Sequence, residues 1–291
     1  MVWGSTYLGI RIAVETLPPF LLAGARFAVA GGVMLLWARR RGAAFPSGRE
    51  WFGAAAVGLC LVTLSNALIV FVEQQIASGI VALFAAGSPL LIALFTRQRT
   101  GVPLGRIRIG GLALGTLGLA LLGSATFAAV HDVPRLLTLG LAMVAWAVGA
   151  TYGRDWPHCS DLLMSSAAQM LTGGAIALVA GVFLGELASF DPNAVALRSV
   201  VAWGYLTVFG SMLAYTVFQW LMAHVDPTAV ASYTYINPIV ALGLGALFAG
   251  ERISARVVVA TTLLVPAVVL VVSGGGRSNG SAVDADPAAR N

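Results

Sequence analysis

An apolar run carries Ser88-Pro89-Leu90-Leu91 and closes on Gly101-Val102-Pro103-Leu104; the same arrangement returns, without a gap, as Asn237-Pro238-Ile239-Val240 and Gly250-Glu251-Arg252-Ile253. This internal duplication constrains the fold more than any other feature of the chain. Each copy places a proline inside a long apolar run, where it removes a backbone hydrogen bond and crowds the carbonyl four residues earlier, that of Ala85 or Thr234. Each run is therefore expected to bend, making Pro89 and Pro238 hinge positions. In lipid, backbone loosened this way persists only where protein or a wet cavity covers it, so the pair points to a central pathway.

The apolar runs have membrane length. Stretches of about 20 residues run from Val2 to Leu17, Pro18 to Ala38, Trp51 to Val72, Ile76 to Thr96 and Ile107 to Ser124. Their counterparts run from Pro134 to Gly153, Leu162 to Gly185, Ser199 to Ala223, Pro227 to Ala249 and Val257 to Ser273. With 58% hydrophobic residues, 10% charged and a mean hydropathy of +0.88, the chain is far from a soluble domain, in which about 25% of residues are charged. The expected fold is an all-α integral membrane protein of ten transmembrane helices. Residues 1–124 form the first repeat of five and 134–273 the second, with a Gly-, Ser-, Ala- and Asp-rich disordered tail over 274–291. Five is odd, so tandem copies must cross in opposite senses, as an inverted repeat.

The 17 basic residues are all arginine. They concentrate after the second span (Arg39, Arg40, Arg41, Arg49) and after the fourth (Arg97, Arg99, Arg106). The positive-inside rule makes those loops and both termini cytoplasmic, in a multi-pass protein of the bacterial cytoplasmic membrane. Trp3 stands two residues from the start whereas its counterpart Trp146 lies well inside its span, so the first helix is expected to be cut short. No basic, aromatic-interleaved surface tracks phosphates, which excludes nucleic acid as a partner. Cys60 and Cys159 have no ligand spacing, and no carboxylate pair or Ser/His/Asp set occurs. Neither a metal, a cofactor nor catalytic residues are expected.

Arg26 lies deep in the second span, where an arginine costs about 2.5–3.5 kcal/mol on insertion scales. It is either a partner for an anionic substrate group or a structural arginine paired with a carbonyl, Glu15 or Glu73; its counterpart is Gln169. Arg11 and Glu15 stand one turn apart and are expected to neutralise each other. Ser211, Tyr215, Gln219 and Met222 share one face of the eighth span, and Asn66 and Glu73 hold matching positions on the third. Such a stripe either bonds helices together or lines a cavity. Asn237, with both donor and acceptor, precedes the second break; Tyr235 joins the pocket only through the proline bend. Trp3, Thr6 and Tyr7 in the first span, with Trp146 in the sixth, suit a flat or apolar substrate. Gly250 and Glu251 read as structural residues at the mouth of the last span, the carboxylate favouring the helix dipole.

Trp3-Gly4-Ser5-Thr6-Tyr7, the Pro-Pro-Phe-Leu-Leu-Ala-Gly-Ala-Arg-Phe run ending at Phe27, Ser88-Pro89, and Tyr235-Ile236-Asn237-Pro238 through Gly250-Glu251-Arg252-Ile253-Ser254 resemble the EamA-type transporters of the drug/metabolite transporter superfamily. The likeness covers both halves. It implies a secondary transporter working by alternating access, usually exporting metabolites such as amino acids, or toxic compounds, with protons as the coupling ion. An importer or exchanger of sugar-linked or phosphorylated metabolites is the alternative within transport, and a membrane enzyme or sensor the alternative outside it. The partners implied are a small-molecule substrate, the lipid bilayer and protons. The first copy departs from the pattern, with Gly101-Val102-Pro103 in place of Gly-Glu-Arg.

Overall fold

The computed structural model describes residues 2–76, 78–127, 132–240, 243 and 255–274; the expectations for Gly250, Glu251 and the tail beyond Gly274 lie outside the described residues. Helices follow one another throughout, and no strand occurs among the described residues. In order they are α1 (Val2–Ala13), α2 (Pro19–Arg40), α3 (Gly48–Glu73), α4 (Ser78–Ala85), α5 (Ser88–Thr100) and α6 (Arg106–Phe127). Then come α7 (Val133–Tyr152), α8 (Leu162–Phe183), a short α9 (Glu186–Ser189), α10 (Leu197–His224), α11 (Pro227–Ala231) and α12 (Ala255–Ser273). Among the described residues, six segments are long and apolar enough to cross a membrane: α2, α3, Ile80–Thr100, α7, α8 and α10.

The boundaries have local causes. Ser47 and Glu50 form a reciprocal capping box at the start of α3, the Glu50 carboxylate accepting from Ser47 N–H at 2.7 Å. Asp161 Oδ1 accepts from Met164 N–H at 2.7 Å to open α8, and Asp226 accepts from Thr228 and Ala229 N–H ahead of Pro227 in α11. Glu186 does the same at long range, its two oxygens taking the N–H groups of Phe20 and Leu21 at 3.1 and 2.9 Å. The N-terminus of α2 is thus satisfied by a carboxylate from the other half of the chain.

The run around Pro89 leaves regular α-helix over residues 86–87, an interruption inside the one apolar segment Ile80–Thr100. α4 stops at Ala85, residues 86–87 turn, and α5 restarts with Pro89 in its first turn, where its missing N–H goes unmissed. The second copy does likewise, with α11 passing into a 3-10 turn over Ser232–Tyr235 before helix resumes at 237–240. One expectation needs correcting: Arg11 and Glu15 do not meet. α1 ends at Ala13, so the one-turn register is lost before Glu15, which pairs with Arg198 at 2.6 Å. Arg11 donates instead to the backbone oxygens of Glu73 and Gln74 at 2.7 and 3.0 Å.

The packing centre is the pair α2 and α8, with α3 also against α8 and α12 against α6. Glycines permit the approach. A Cβ on Gly24 would lie 2.9 Å from the Gly174 carbonyl oxygen, and one on Gly31 would lie 2.8 Å from the Ala167 oxygen. Small residues in contact are what lets helices associate in lipid, where no hydrophobic force drives them together. Large apolar side chains such as Leu36, Trp37, Phe52, Val179 and Phe183 remain on the outside.

Candidate functional site

Two helices leave α geometry in mid-course: α3 is π-helical over Leu59–Ala67 and α10 over Leu206–Leu213. A π turn shifts the bonding pattern by one residue and releases backbone oxygens to other donors, which is one reason such turns collect at functional sites. In α3 the Asn66 amide donates to Leu61 O at 2.8 Å. In α10 the Gly210 oxygen accepts from Trp3 Nε1 at 3.1 Å.

Between these stretches and the two helix breaks lies a small central cavity. Trp3, Thr6, Tyr7 and Ile10 of α1 line one side, with Arg26 of α2 and Ser65, Asn66 and Ile69 of α3. Ala85 and Ser88 enter from the first break, Met143 and Trp146 from α7, and Tyr233, Thr234 and Asn237 from the second. The lining mixes apolar walls with a few polar groups, as ligand sites do.

Arg26 is 2% exposed. Its Nε donates to Ser211 Oγ at 2.7 Å, and its Nη1 has no hydrogen-bond partner among the described residues. Space for the guanidinium comes from Gly210: a Cβ there would lie 2.9 Å from Nη2 and 3.1 Å from Thr6 Cγ2. Across the cavity Trp3 stands edge-on to Trp146, ring centres 5.5 Å apart, and packs on Phe218 and Tyr233 at 5.2 and 5.1 Å. Tyr7 and Asn237 both present their side chains to the same cavity. The site therefore combines an aromatic wall, a neutral donor and acceptor pair, and one buried cation with bonding capacity to spare.

Trp3, Thr6, Tyr7, Arg26, Asn66, Trp146 and Asn237 thus meet at one cavity. Tyr215 and Gln219 do not reach it. They form a buried network with Gln169 of α8: Tyr215 Oη donates to Gln169 Oε1 at 3.0 Å, and Gln219 donates to both Tyr215 and Gln169. Gln169 and Gln219 line a second pocket with Arg154, His158, Ser165 and Ser166. Tyr235 lies elsewhere again, in a cluster with Leu83, Leu119 and Leu264 and with its ring over Gly115. The candidate residues left out Ser65 and Thr234, whereas Tyr233 shares the face of Asn237 as helical spacing expects. Ser65 adjoins Asn66, so adjacency to a polar residue in an apolar run was the available signal.

Comparison with known proteins adds the following. The model of the EamA-like transporter family matches residues 1–124 and 135–273. The chain is 34% identical over 275 residues to the uncharacterized inner membrane transporter YedA of Escherichia coli strain K12, covering 94% of this chain and 88% of that one. It is 27% identical over 280 residues to Protein PecM of Dickeya dadantii, covering 93% and 88%. It is also 24% identical over 272 residues to the uncharacterized transporter YvbV of Bacillus subtilis, covering 93% and 88%. A solved crystal structure superposes with a TM-score of 0.75 at 20% identity, over 95% of each chain, which speaks to the fold alone.

Proposed function

The chain belongs to the EamA-like transporter family, and we propose that it works as a secondary transporter whose two repeats, of five helices each and inverted in the membrane, give each side alternate access to the central cavity. It is a multi-pass membrane transporter and not an enzyme. The observation that carries the reading is the composition of the cavity wall. Both helix breaks and the π-helical stretch of α3 contribute to it: Ser65, Asn66, Ala85 and Ser88 come from one half, and Tyr233, Thr234 and Asn237 from the other, while Gly210 of the second π-helical stretch backs Arg26 from behind the wall. Discontinuous helices at matching places in two halves are where secondary transporters hold their cargo.

The cargo we propose is a small metabolite such as an amino acid, or a toxic compound, moved outward with protons as the coupling ion. The aromatic wall takes its apolar part, Asn237 and Tyr7 its neutral polar groups, and Arg26 Nη1 an acidic group. A phosphorylated cargo would ask for several cations, and Arg26 is the charged side chain that lines the cavity. The experiment compares, by mass spectrometry, the medium of cells expressing the chain with that of cells carrying an empty vector and of cells making Asn237→Ala at equal membrane abundance. A compound enriched only with the intact protein is the expected result. Depletion of a supplied compound in its place would make the protein an importer and overturn export.

A further inference from the structure

The most unusual group outside the cavity lining is Glu73, the last residue of α3. It is fully buried, at 0% exposure, and neither carboxylate oxygen has a hydrogen-bond partner among the described residues. Buried carboxylates normally find a donor, because one that stays ionised has nothing to offset its lost hydration. A purely structural glutamate would be expected to take Arg11, which is close by, yet Arg11 spends Nη1 on the Glu73 and Gln74 backbone oxygens. The remaining cation of the neighbourhood, Arg26, gives its Nε to Ser211. Glu73 is thus surrounded by cations and bonded to neither.

Its neighbours on α3 face two different pockets, while Glu73 itself lies buried between them and lines neither. Along α3, Ser65, Asn66 and Ile69 face the central cavity, and Ile69 is one turn before Glu73. Phe71 and Gln74 line a separate pocket with Glu15, Thr16, Glu186 and Asp191. The charged and titratable groups acting on Glu73 are Arg11 and Tyr7 from α1 and Arg26 from α2, and both Tyr7 and Arg26 also line the cavity. Burial takes water away from this carboxyl, and no hydrogen-bond donor among the described residues replaces it.

We infer that Glu73 is a proton-binding site of the transport pathway, its carboxylate taking a proton from water to become the neutral acid and giving it back to water to become the carboxylate again. This inference rests on the transport reading and names the residue that would carry its coupling ion. Ionisable residues inside spans are where pumps and transporters place their relays.

The test uses the full chain in lipid nanodiscs and infrared difference spectra between acid and alkaline buffers, with protons as the only probe. The expected result is a carbonyl-stretching band of a protonated carboxyl that is absent from Glu73→Gln and falls about tenfold per pH unit on the alkaline side of its midpoint. The band should also shift in heavy water, which shows that solvent reaches the group. Glu73→Asp should keep a band with a moved midpoint, which guards against loss through misfolding, and size-exclusion profiles check each variant. A wild-type spectrum without a band assignable to Glu73, or with one that neither titrates nor shifts in heavy water, overturns the inference. Because no cargo is involved, this result is independent of whether any exported compound is found.

Discussion

Arg26 shows what a single residue does to its surroundings. One hydrogen bond to Ser211 and the missing side chain of Gly210 hold a guanidinium in place beside the cavity. Ser211→Ala would leave Nε buried and unpaired, for which the usual penalty is about 1–3 kcal/mol; the expected outcome is a lower midpoint in a thermal unfolding assay of the purified protein. Gly210→Ala should lower it as well, by pressing Cβ against Nη2, and an unchanged midpoint in both would mean that the guanidinium is free to relocate. Arg26 and Asn237 were legible in the sequence because a strongly polar residue inside an apolar run stands out by type alone. Tyr215, Gln219 and Tyr235 were not, because placing them needs the helical phase. That phase is altered upstream of Tyr215 by the π turns of Leu206–Leu213 and at Tyr235 by a 3-10 turn. A face assigned at 3.6 residues per turn fails after either one.

Among elements, the close pairing of α2 with α8 is the contact on which the others are hung. It depends on residues whose contribution is absence. Gly31→Leu would drive a side chain into the Ala167 backbone and Leu171, since even a Cβ there sits 2.8 Å from Ala167 O and Leu171 N. Overpacking of this kind costs about 1–3 kcal/mol where neighbours can adjust, and backbone cannot adjust cheaply. A reduced yield of monodisperse protein on size exclusion is expected, with Gly32→Leu, which meets open space, as the unaffected control. The elements themselves were largely written in the chain: N-caps at Asp161 and Asp226 and the Pro18-Pro19 start can be read from residue type and spacing. The Glu186 cap on α2 could not, because it joins residues far apart in sequence, and only the packed structure brings them together.

At the scale of the whole molecule, charged groups tie one half of the chain to the other. Arg99 holds Asp155 through two hydrogen bonds, at 2.6 and 2.5 Å, and Arg108 meets Asp226 at 3.2 Å. Those hydrogen bonds from Arg99 keep the Asp155 carboxyl below the ordinary carboxylate range. Its contribution is therefore complete above the unfolded carboxylate value, near pH 3.9, and is lost only as pH falls through the depressed value, so neutral buffers leave the tie intact. An exposed pair adds little stability, but this one adjoins Arg154 at the rim of the second pocket. Asp155→Asn should therefore leave the melting point nearly unchanged and speed maleimide labelling of Ser166→Cys, in a background without Cys60 and Cys159, severalfold; equal rates would mean that the pair does not guard that pocket. The two π-helical stretches reach as far in another way. Their backbone amides sit in long helices otherwise bonded in α register, and the bonds there are the ones least matched to their neighbours. In heavy water Leu59–Ala67 and Leu206–Leu213 should take up deuterium ahead of the helix on either side, so that α3 and α10 keep time in two tempos, slow at their ends and quick in the middle.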